Sequence, residues 1–411
     1  MRMEQTKKAP ELLSPAGNFE KMQAALLYGA DAVYLAGERF GMRAAADNFS
    51  IEELHRACDE THACGKRLYL TLNVMPRQYE YDDLKRYLRK IAPFGIDAFI
   101  VADLGVMQLL QKVIPGCEIH ISTQANTVSA PAAQAWYNLG AKRVVLAREL
   151  TLDEIGEIRS NVPRELELEC FIHGSMCISY SGRCLLSNHM TGRDGNRGQC
   201  AQPCRWNYVI YEEKRPDMPI PLEEDSLGTY IMSSKDLCMI AHIPELMNSG
   251  IDSFKIEGRM KSAYYTAVIT NAYRMAMDAY LADPGGYVFD PLWLREAESV
   301  SHRAYATGYF FDSCRENAQT VTDTGYLREK AYLATAEQYD PQQGLALFVQ
   351  RNKLTRHTDV ELISPGLVGR AFRVDEMYDE NKAPIESAPH PAMRFWIPVP
   401  FAVKPGDILR A

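Results

Sequence analysis

Four cysteines lie close together near the middle of the chain and could jointly bind a soft metal. They are Cys177, Cys184, Cys200 and Cys204, separated by six, fifteen and three intervening residues. Thiolates are polarisable and charged, and four of them complete a tetrahedral zinc site or an iron-sulfur cluster. Structural zinc sites use two short knuckles of roughly two to four residues, and only one interval here is that short. The spacing therefore favours a [4Fe-4S] cluster over zinc.

Two alternatives to this ligand set stay open. Unligated thiols buried in a long loop would need no metal, and Cys238 could replace Cys204 as the fourth ligand. Arginines surround the thiolates and could offset the negative charge of a cluster; they are Arg183, Arg193, Arg197 and Arg205.

Composition indicates the compartment and class. The 411 residues carry a net charge of −8, which argues against a protein that coats nucleic acid through bulk charge but allows a local basic patch. The N-terminal residues lack the apolar stretch of a secretion signal, and no uncharged apolar run reaches ~18 residues. We expect a soluble, cytoplasmic protein with no membrane contact, in which ten cysteines favour metal over disulfides.

Eight short aliphatic runs alternate with amphipathic stretches and predict the elements that position these cysteines. A glycine precedes several runs, as in Gly29-Ala30-Asp31 and Gly250-Ile251-Asp252. We predict an α/β fold, a (β/α)8 TIM-like barrel; a doubly wound sheet is the alternative, but neither GxGxxG nor GxxxxGK[ST] occurs. The runs are Glu11–Ser14, Ala32–Leu35, Arg67–Asn73, Ala98–Asp103, Ile119–Gln124, Arg143–Glu149, Leu166–His173 and Ser253–Glu257.

The last two runs are much farther apart than the others, so a cysteine-rich insertion is predicted at residues 175–250. Loops that follow barrel strands lie on the catalytic face, and the insertion should cap that face. Cys170 falls inside the seventh run and is expected to pack in the barrel wall. The barrel domain is predicted at residues 1–315, and alternating strands at residues 325–411 predict a small C-terminal β-barrel.

Polar residues at the strand ends are candidates for substrate binding and proton transfer. Charged forks suit an anionic ligand, which favours Arg148, Lys255 and Arg259 near strand ends; Arg43, in the loop after the second run, is another candidate. His173 has a titration range that suits proton transfer, and Glu149 or Glu257 could do the same. For each carboxylate and arginine the alternative is an ion pair that closes the barrel mouth.

Several segments together carry a family resemblance. ELLSPAG at residues 11–17, YGADAVYLAG at 28–37, Glu169 to Ser187 and SFKIEGRMKS at 253–262 resemble the collagenase-like peptidase U32 family over nearly the whole chain. Within that family, GQCAQPCRWNY at 198–208 and the C-terminal strands look most like the branch that hydroxylates the wobble uridine of tRNA.

The resemblance implies an RNA-modifying enzyme that forms 5-hydroxyuridine, with prephenate or a similar small anionic donor as hydroxyl source. It also implies that Cys177, Cys184, Cys200 and Cys204 bind a [4Fe-4S] cluster, and it leaves a paralogous partner subunit open. The family name keeps a peptidase as the alternative. A cysteine protease would need an activated thiolate with a histidine, and His173 is the candidate partner of Cys177.

RNA binding requires a positive surface that the overall charge does not supply. QRNKLTRH at residues 350–357 places Arg351, Lys353 and Arg356 at a predicted strand connection, which could bind phosphates. A solvated hairpin without a ligand is the alternative, and Arg193, Arg197 and Arg205 could instead line the RNA path.

Overall fold

The computed structural model describes residues 9–43, 47–177, 179–206, 209–212, 215–221, 234–311, 327 and 329–411. Eight parallel strands form its main sheet, in the order β11-β1-β2-β3-β4-β5-β6-β7, and pairing of β11 with β7 closes the sheet into a barrel. The predicted TIM-like barrel is confirmed, with each strand at its predicted run. The strands are β1 (Glu11–Pro15), β2 (Ala32–Leu35), β3 (Arg67–Leu72), β4 (Ala98–Val101), β5 (Glu118–Ile121), β6 (Arg143–Val145), β7 (Glu167–Ser175) and β11 (Ser253–Ile256).

Helices outside the barrel connect the strands, and their polar caps explain where they begin. Ser50 and Glu53 form a capping box at the start of α2, and Thr151 and Glu154 form another at α6. Gly250 adopts a φ of +84° before β11, and a Cβ there would meet Arg159 at 2.7 Å. The helices are α1 (Phe19–Leu27), α2 (Ile51–Ala63), α3 (Tyr81–Ile91), α4 (Leu104–Val113), α5 (Ala130–Asn138), α6 (Leu152–Ser160), α7 (Leu186–Thr191), α8 (Ile243–Asn248), α9 (Ala263–Ala282) and α10 (Pro291–Glu298).

The connection between β7 and β11 carries the insertion. It contains α7, the hairpin of β8 (Val209–Glu212) and β9 (Arg215–Pro221), and then β10 (Asp236–Cys238). β10 pairs antiparallel with the end of β7, and β12 (Tyr305–Ala306) pairs with β10. The insertion therefore begins on the face where the parallel strands end, which is the face that carries active sites in this fold.

The C-terminal residues form an antiparallel half-barrel. Its sheet has the order β17-β16-β21-β13-β14-β20-β18, beside a two-stranded ladder of β15 and β19. Phe348 and Phe395 stack in its core. The strands are β13 (Tyr332–Asp340), β14 (Leu345–Gln350), β15 (Leu354–Thr355), β16 (Thr358–Ile363), β17 (Arg370–Val374), β18 (Tyr378–Asp379), β19 (Ser387–Ala388), β20 (Arg394–Pro398) and β21 (Ile408–Arg410).

Buried polar contacts hold the half-barrel against the outer helices. The Tyr28 hydroxyl donates to the carbonyls of Ile363 and Gly406, both at 3.1 Å. Arg410 is buried between Glu296 and Glu361, at 2.7 and 2.8 Å. No described helix is long and apolar enough to cross a membrane.

Candidate active site

A small pocket lies at the C-terminal ends of the barrel strands, and we call it the mouth pocket. Its free volume is about 50 Å³, small beside the ~300–1,000 Å³ of most ligand pockets. The predicted residues Arg43, Arg148, Lys255, Glu257 and Arg259 all line it. The strand-end prediction therefore brought together the four proposed anion-binding residues and one proposed acid-base group.

Charge in the mouth pocket is unbalanced. Arg43 lies 3.6 Å from Glu257, the one carboxylate among the lining residues. Burial would raise the pKa of Glu257, but the positive charges of Arg43 and Arg148 outweigh it and lower that pKa. Glu257 is therefore ionised near neutral pH and cannot donate a proton.

Two arginines of the pocket keep donors unused. Arg259 is buried and donates to the Thr71 hydroxyl at 3.0 Å and to the Met42 carbonyl; burial lowers its pKa to about 10. Arg148 donates to the Ser175 carbonyl at 2.9 Å. The Nε atoms of both arginines are buried without a hydrogen-bond partner in the described part of the chain. Such unsatisfied donors are costly without a ligand or water.

A larger cavity of about 340 Å³ lies directly above, and we call it the chamber. Arg43 and Glu257 line both cavities, so their ion pair forms the partition between them. The insertion contributes Cys177, Cys200 and Cys204 to the chamber wall. The lining of the chamber thus combines barrel charges with thiols, in a volume that accommodates a small metabolite.

The four predicted ligand cysteines are free thiols that share one electrostatic environment. Burial raises the pKa of Cys204, and the nearby Cys177, Cys200 and Cys184 raise it further. The Cys200 sulfur accepts a hydrogen bond from the Gln202 amide at 3.3 Å. Within the described ranges, no three His, Cys, Asp or Glu side chains converge closely enough to hold a single metal ion. A set of four thiols with an N–H donor is the chemistry that suits an iron-sulfur cluster.

Comparison with known proteins decides the family. The family model "Peptidase family U32" matches residues 17–320, and "Peptidase family U32 C-terminal domain" matches residues 328–410. The chain belongs to peptidase family U32.

U32 relatives with similar sequences carry different names. The "tRNA hydroxylation protein P1" of Bacillus subtilis is 37% identical over 403 residues, covering 98% of this chain and 95% of its own. The "Collagenase" of Porphyromonas gingivalis is 31% identical and covers 97% of both chains. The "23S rRNA 5-hydroxycytidine C2501 synthase" of Escherichia coli is 34% identical over 74% of this chain and 45% of its own. A solved U32 peptidase structure aligns over 62% of this chain and 95% of its own at 14% identity, with a TM-score of 0.40.

In this U32 chain the prediction that His173 faces the mouth is wrong. The register between β7 and β11 shifts after Lys255, which pairs with Phe171, so that Ile256 pairs with His173. A bulge of this kind turns a side chain to the other face of a sheet. His173 is 1% exposed, and burial lowers its pKa to about 3.

Tyrosines enclose His173 behind the barrel wall. Its ring nitrogens lie 3.4 Å from the Tyr273 hydroxyl and 3.5 Å from the Tyr305 hydroxyl, and Tyr265 packs against the ring. A neutral imidazole in these surroundings neither transfers protons at the mouth nor supplies the exposed partner that Cys177 would need as a protease nucleophile.

The remaining sequence candidates lie apart from the chamber. Glu149 is half-buried, which raises its pKa, and it lines neither cavity. Cys170 is buried in β7, as predicted. Cys238 is buried on β10, where burial raises its pKa to about 12, whereas Cys204 lies with the other three thiols. The geometry favours Cys204 over Cys238 as the fourth member of the set.

Lys261 is a chamber residue that sequence reasoning missed. It lines the chamber, donates to the Ser301 carbonyl at 2.8 Å and lies over the Tyr265 ring. Its position two residues after Arg259, in the same loop after a barrel strand, is the signal that could have identified it.

The proposed RNA-binding hairpin follows β14. Arg351 pairs with Glu20 at 2.8 Å, and Arg356 pairs with Glu386 at 2.8 Å. Lys353 is exposed. Because carboxylates neutralise two of the three cations, the hairpin offers less free charge than its sequence indicates.

Proposed function

We propose that this chain is an iron-sulfur-dependent RNA-modifying enzyme that hydroxylates the wobble uridine of tRNA to 5-hydroxyuridine. Relatives named for tRNA hydroxylation and for rRNA 5-hydroxycytidine synthesis support RNA hydroxylation as the reaction class. The observation that carries the proposal is the chamber, because its lining combines cationic side chains of the barrel with thiols of the insertion.

The hydroxyl donor is proposed to be prephenate or a similar small dicarboxylate that enters the chamber. Arg43 and Lys261 line that cavity, and Arg148 and Arg259 lie below with unused Nε donors. Guanidinium forks bind carboxylates through paired hydrogen bonds. Because the mouth pocket alone is too small, we expect one carboxylate to displace Glu257 from Arg43 and the rest of the donor to stay in the chamber.

Glu257 is the proposed acid-base group. Replacing the hydrogen at C5 of uridine by a hydroxyl oxidises the base by two electrons, which the hydroxyl donor must accept, and releases the C5 hydrogen as a proton. Glu257 lines the chamber and is ionised, so its carboxylate can accept that proton. His173 and Glu149, the other two candidates, do not reach the chamber.

Cys177, Cys184, Cys200 and Cys204 are proposed to hold a [4Fe-4S] cluster, which when bound would supply one-electron chemistry. Anaerobically purified protein should be brown, absorb near ~400 nm and contain about four irons per chain. Cys204→Ala should lose most of the iron, whereas Cys238→Ala should keep it. Stoichiometric zinc without iron in the anaerobic protein would rule out the cluster.

The function is tested on tRNA from a deletion strain that also lacks any redundant paralogue. Nucleoside mass spectrometry should show loss of 5-hydroxyuridine derivatives, and they should return with the wild-type gene but not with Cys177→Ala. Unchanged nucleosides in the deletion strain would contradict the proposal.

A peptidase is the second candidate, because a relative named Collagenase covers 97% of both chains. In that activity Cys177 would be the nucleophile and His173 its base. His173, however, is buried among tyrosines. Cleavage of gelatin by cluster-free protein, abolished in Cys177→Ala, would favour this candidate over RNA hydroxylation.

A further inference from the structure

Three exposed aromatic side chains lie on segments close to residues that line the chamber. Tyr79, Tyr180 and Trp206 are 79%, 48% and 44% exposed. Tyr79 lies on the connection after β3, and the other two lie in the insertion, three and two residues after Cys177 and Cys204. Several large exposed rings near one cavity point to an interaction surface.

Specific contacts hold these segments in place. Glu80, next to Tyr79, accepts two hydrogen bonds from Arg197 at 3.0 and 2.9 Å, which tie the insertion to the β3 connection. Asn126 donates to the Ser181 carbonyl at 2.7 Å, beside Tyr180. Tyr79 and Tyr180 therefore project from segments anchored by these contacts, and a side chain on an anchored segment loses less conformational entropy on binding.

The same face carries free positive charge. Residues 175–206 contain four arginines and one acidic residue, Asp194, although the whole chain has a net charge of −8. Arg183 donates to the Asn126 side-chain oxygen and Arg193 to the Gln199 carbonyl, and neither has a carboxylate partner among the described residues. Both are exposed. Their charge is therefore available to an anion.

We propose that Tyr79, Tyr180, Trp206, Arg183 and Arg193 form a stacking rim that binds an unpaired RNA loop, with bases on the rings and phosphates on the arginines. The inference rests on the proposed function and deepens it. Rings stack on the faces of bases, which only an unpaired strand exposes, and the adjacent arginines match its phosphates. A protein partner would use the rings but would not require the arginine charge.

The test measures binding of the full-length, anaerobically purified protein to a fluorescent anticodon stem-loop RNA and to a duplex of the same length. Trp206→Ala and Tyr79→Ala should each weaken stem-loop binding about tenfold, and Trp206→Phe and Tyr79→Phe should restore it. Arg183→Gln and Arg193→Gln should each lower the slope of log affinity against log salt by about 0.7. Val288→Ala is the control, because Val288 is 80% exposed and lies after α9, outside the segments that carry the rim residues.

The outcomes separate the rim from the function. The stacking rim would be ruled out if both alanine variants bound the stem-loop with wild-type affinity, or if the wild-type protein bound duplex and stem-loop equally. Neither result would contradict RNA hydroxylation. Absence of RNA binding by the wild-type protein, with unchanged tRNA nucleosides in the deletion strain, would overturn both. Loss of binding in the alanine variants with rescue by phenylalanine would support the rim.

Discussion

The two ends of the barrel interior are both rich in charge, but they differ in how completely the charges are paired. At the closed end, Arg143 contacts Glu11 at 2.6 Å, Glu167 at 2.7 Å and Glu169 at 3.0 Å, and Lys255 contacts Glu169 at 2.7 Å. Every carboxylate there faces a cation. Attraction to Lys255 and Arg143 outweighs burial and lowers the pKa of Glu169 to about 2.

At the open end, Arg43, Arg148 and Arg259 share a single carboxylate, Glu257, because Lys255, which also lines that pocket, is paired with Glu169. Two of these arginines keep an Nε donor without a partner in the described structure. The paired charges at the closed end stabilise the fold. The unpaired positive charge at the open end is suited to binding an anionic ligand. Substitutions at the two ends should therefore separate stability from binding.

The largest effect is expected for Arg143→Met. It removes the main cation of Glu11 and Glu167 and one of the two cations of Glu169, and breaking a buried ion network costs ~3–5 kcal/mol. Urea unfolding monitored by circular dichroism measures the loss in the free energy of unfolding. Arg148→Met is the control and should cost less than ~1 kcal/mol. Equal losses in the two variants would remove the distinction between the ends.

His173 provides the next effect, which depends on pH. Burial lowers its folded pKa to about 3, whereas the unfolded value is ~6.5, so the unfolded chain binds the extra proton. The stability that comes from keeping His173 neutral is fully present above pH ~6.5. As the pH falls from there toward 3, the free energy of unfolding decreases by up to ~1.4 kcal/mol per pH unit. His173→Gln should flatten the unfolding free energy between pH 6.5 and 4.5. An unchanged slope would show that His173 is accessible to protons, as its predicted mouth position required.

A smaller effect is expected when the open end is changed. Arg148→Ala should weaken binding of a small dicarboxylate about tenfold, or ~1.4 kcal/mol, because a charged hydrogen-bond donor is lost. Isothermal titration calorimetry with prephenate measures the affinity, and Arg295→Ala, on α10, is the control. If Arg148→Ala binds as the wild type does, the excess charge is not an anion site.

The barrel could be predicted from sequence because its signals are local. Each strand is a short apolar run, and glycines such as Gly29 and Gly250 mark the turns before them. Arg148 and Glu257 were found for the same reason, since each lies within three residues of a strand end, and Arg43 was found in the loop that follows β2. His173 was misplaced because the bulge that rotates it arises from pairing with β11, about 80 residues away in the sequence. The chamber and Lys261 depend on how the insertion folds over the barrel, which no local pattern specifies.

The smallest effect is expected at the C-terminal hairpin, where charge is paired as it is at the closed end of the barrel. If this segment binds phosphates, as its sequence suggests, replacing Arg351, Lys353 and Arg356 by glutamate should weaken tRNA binding and flatten its salt dependence. Glu20 and Glu386 already neutralise Arg351 and Arg356, which leaves Lys353 as the cation most available for a phosphate. We therefore expect Lys353→Glu alone to account for most of the loss in tRNA affinity. The slope of log affinity against log salt should fall by the amount of about one phosphate contact, and the cluster absorbance should not change. A loss larger than that of Trp206→Ala would make the hairpin, rather than the stacking rim, the main RNA-binding surface.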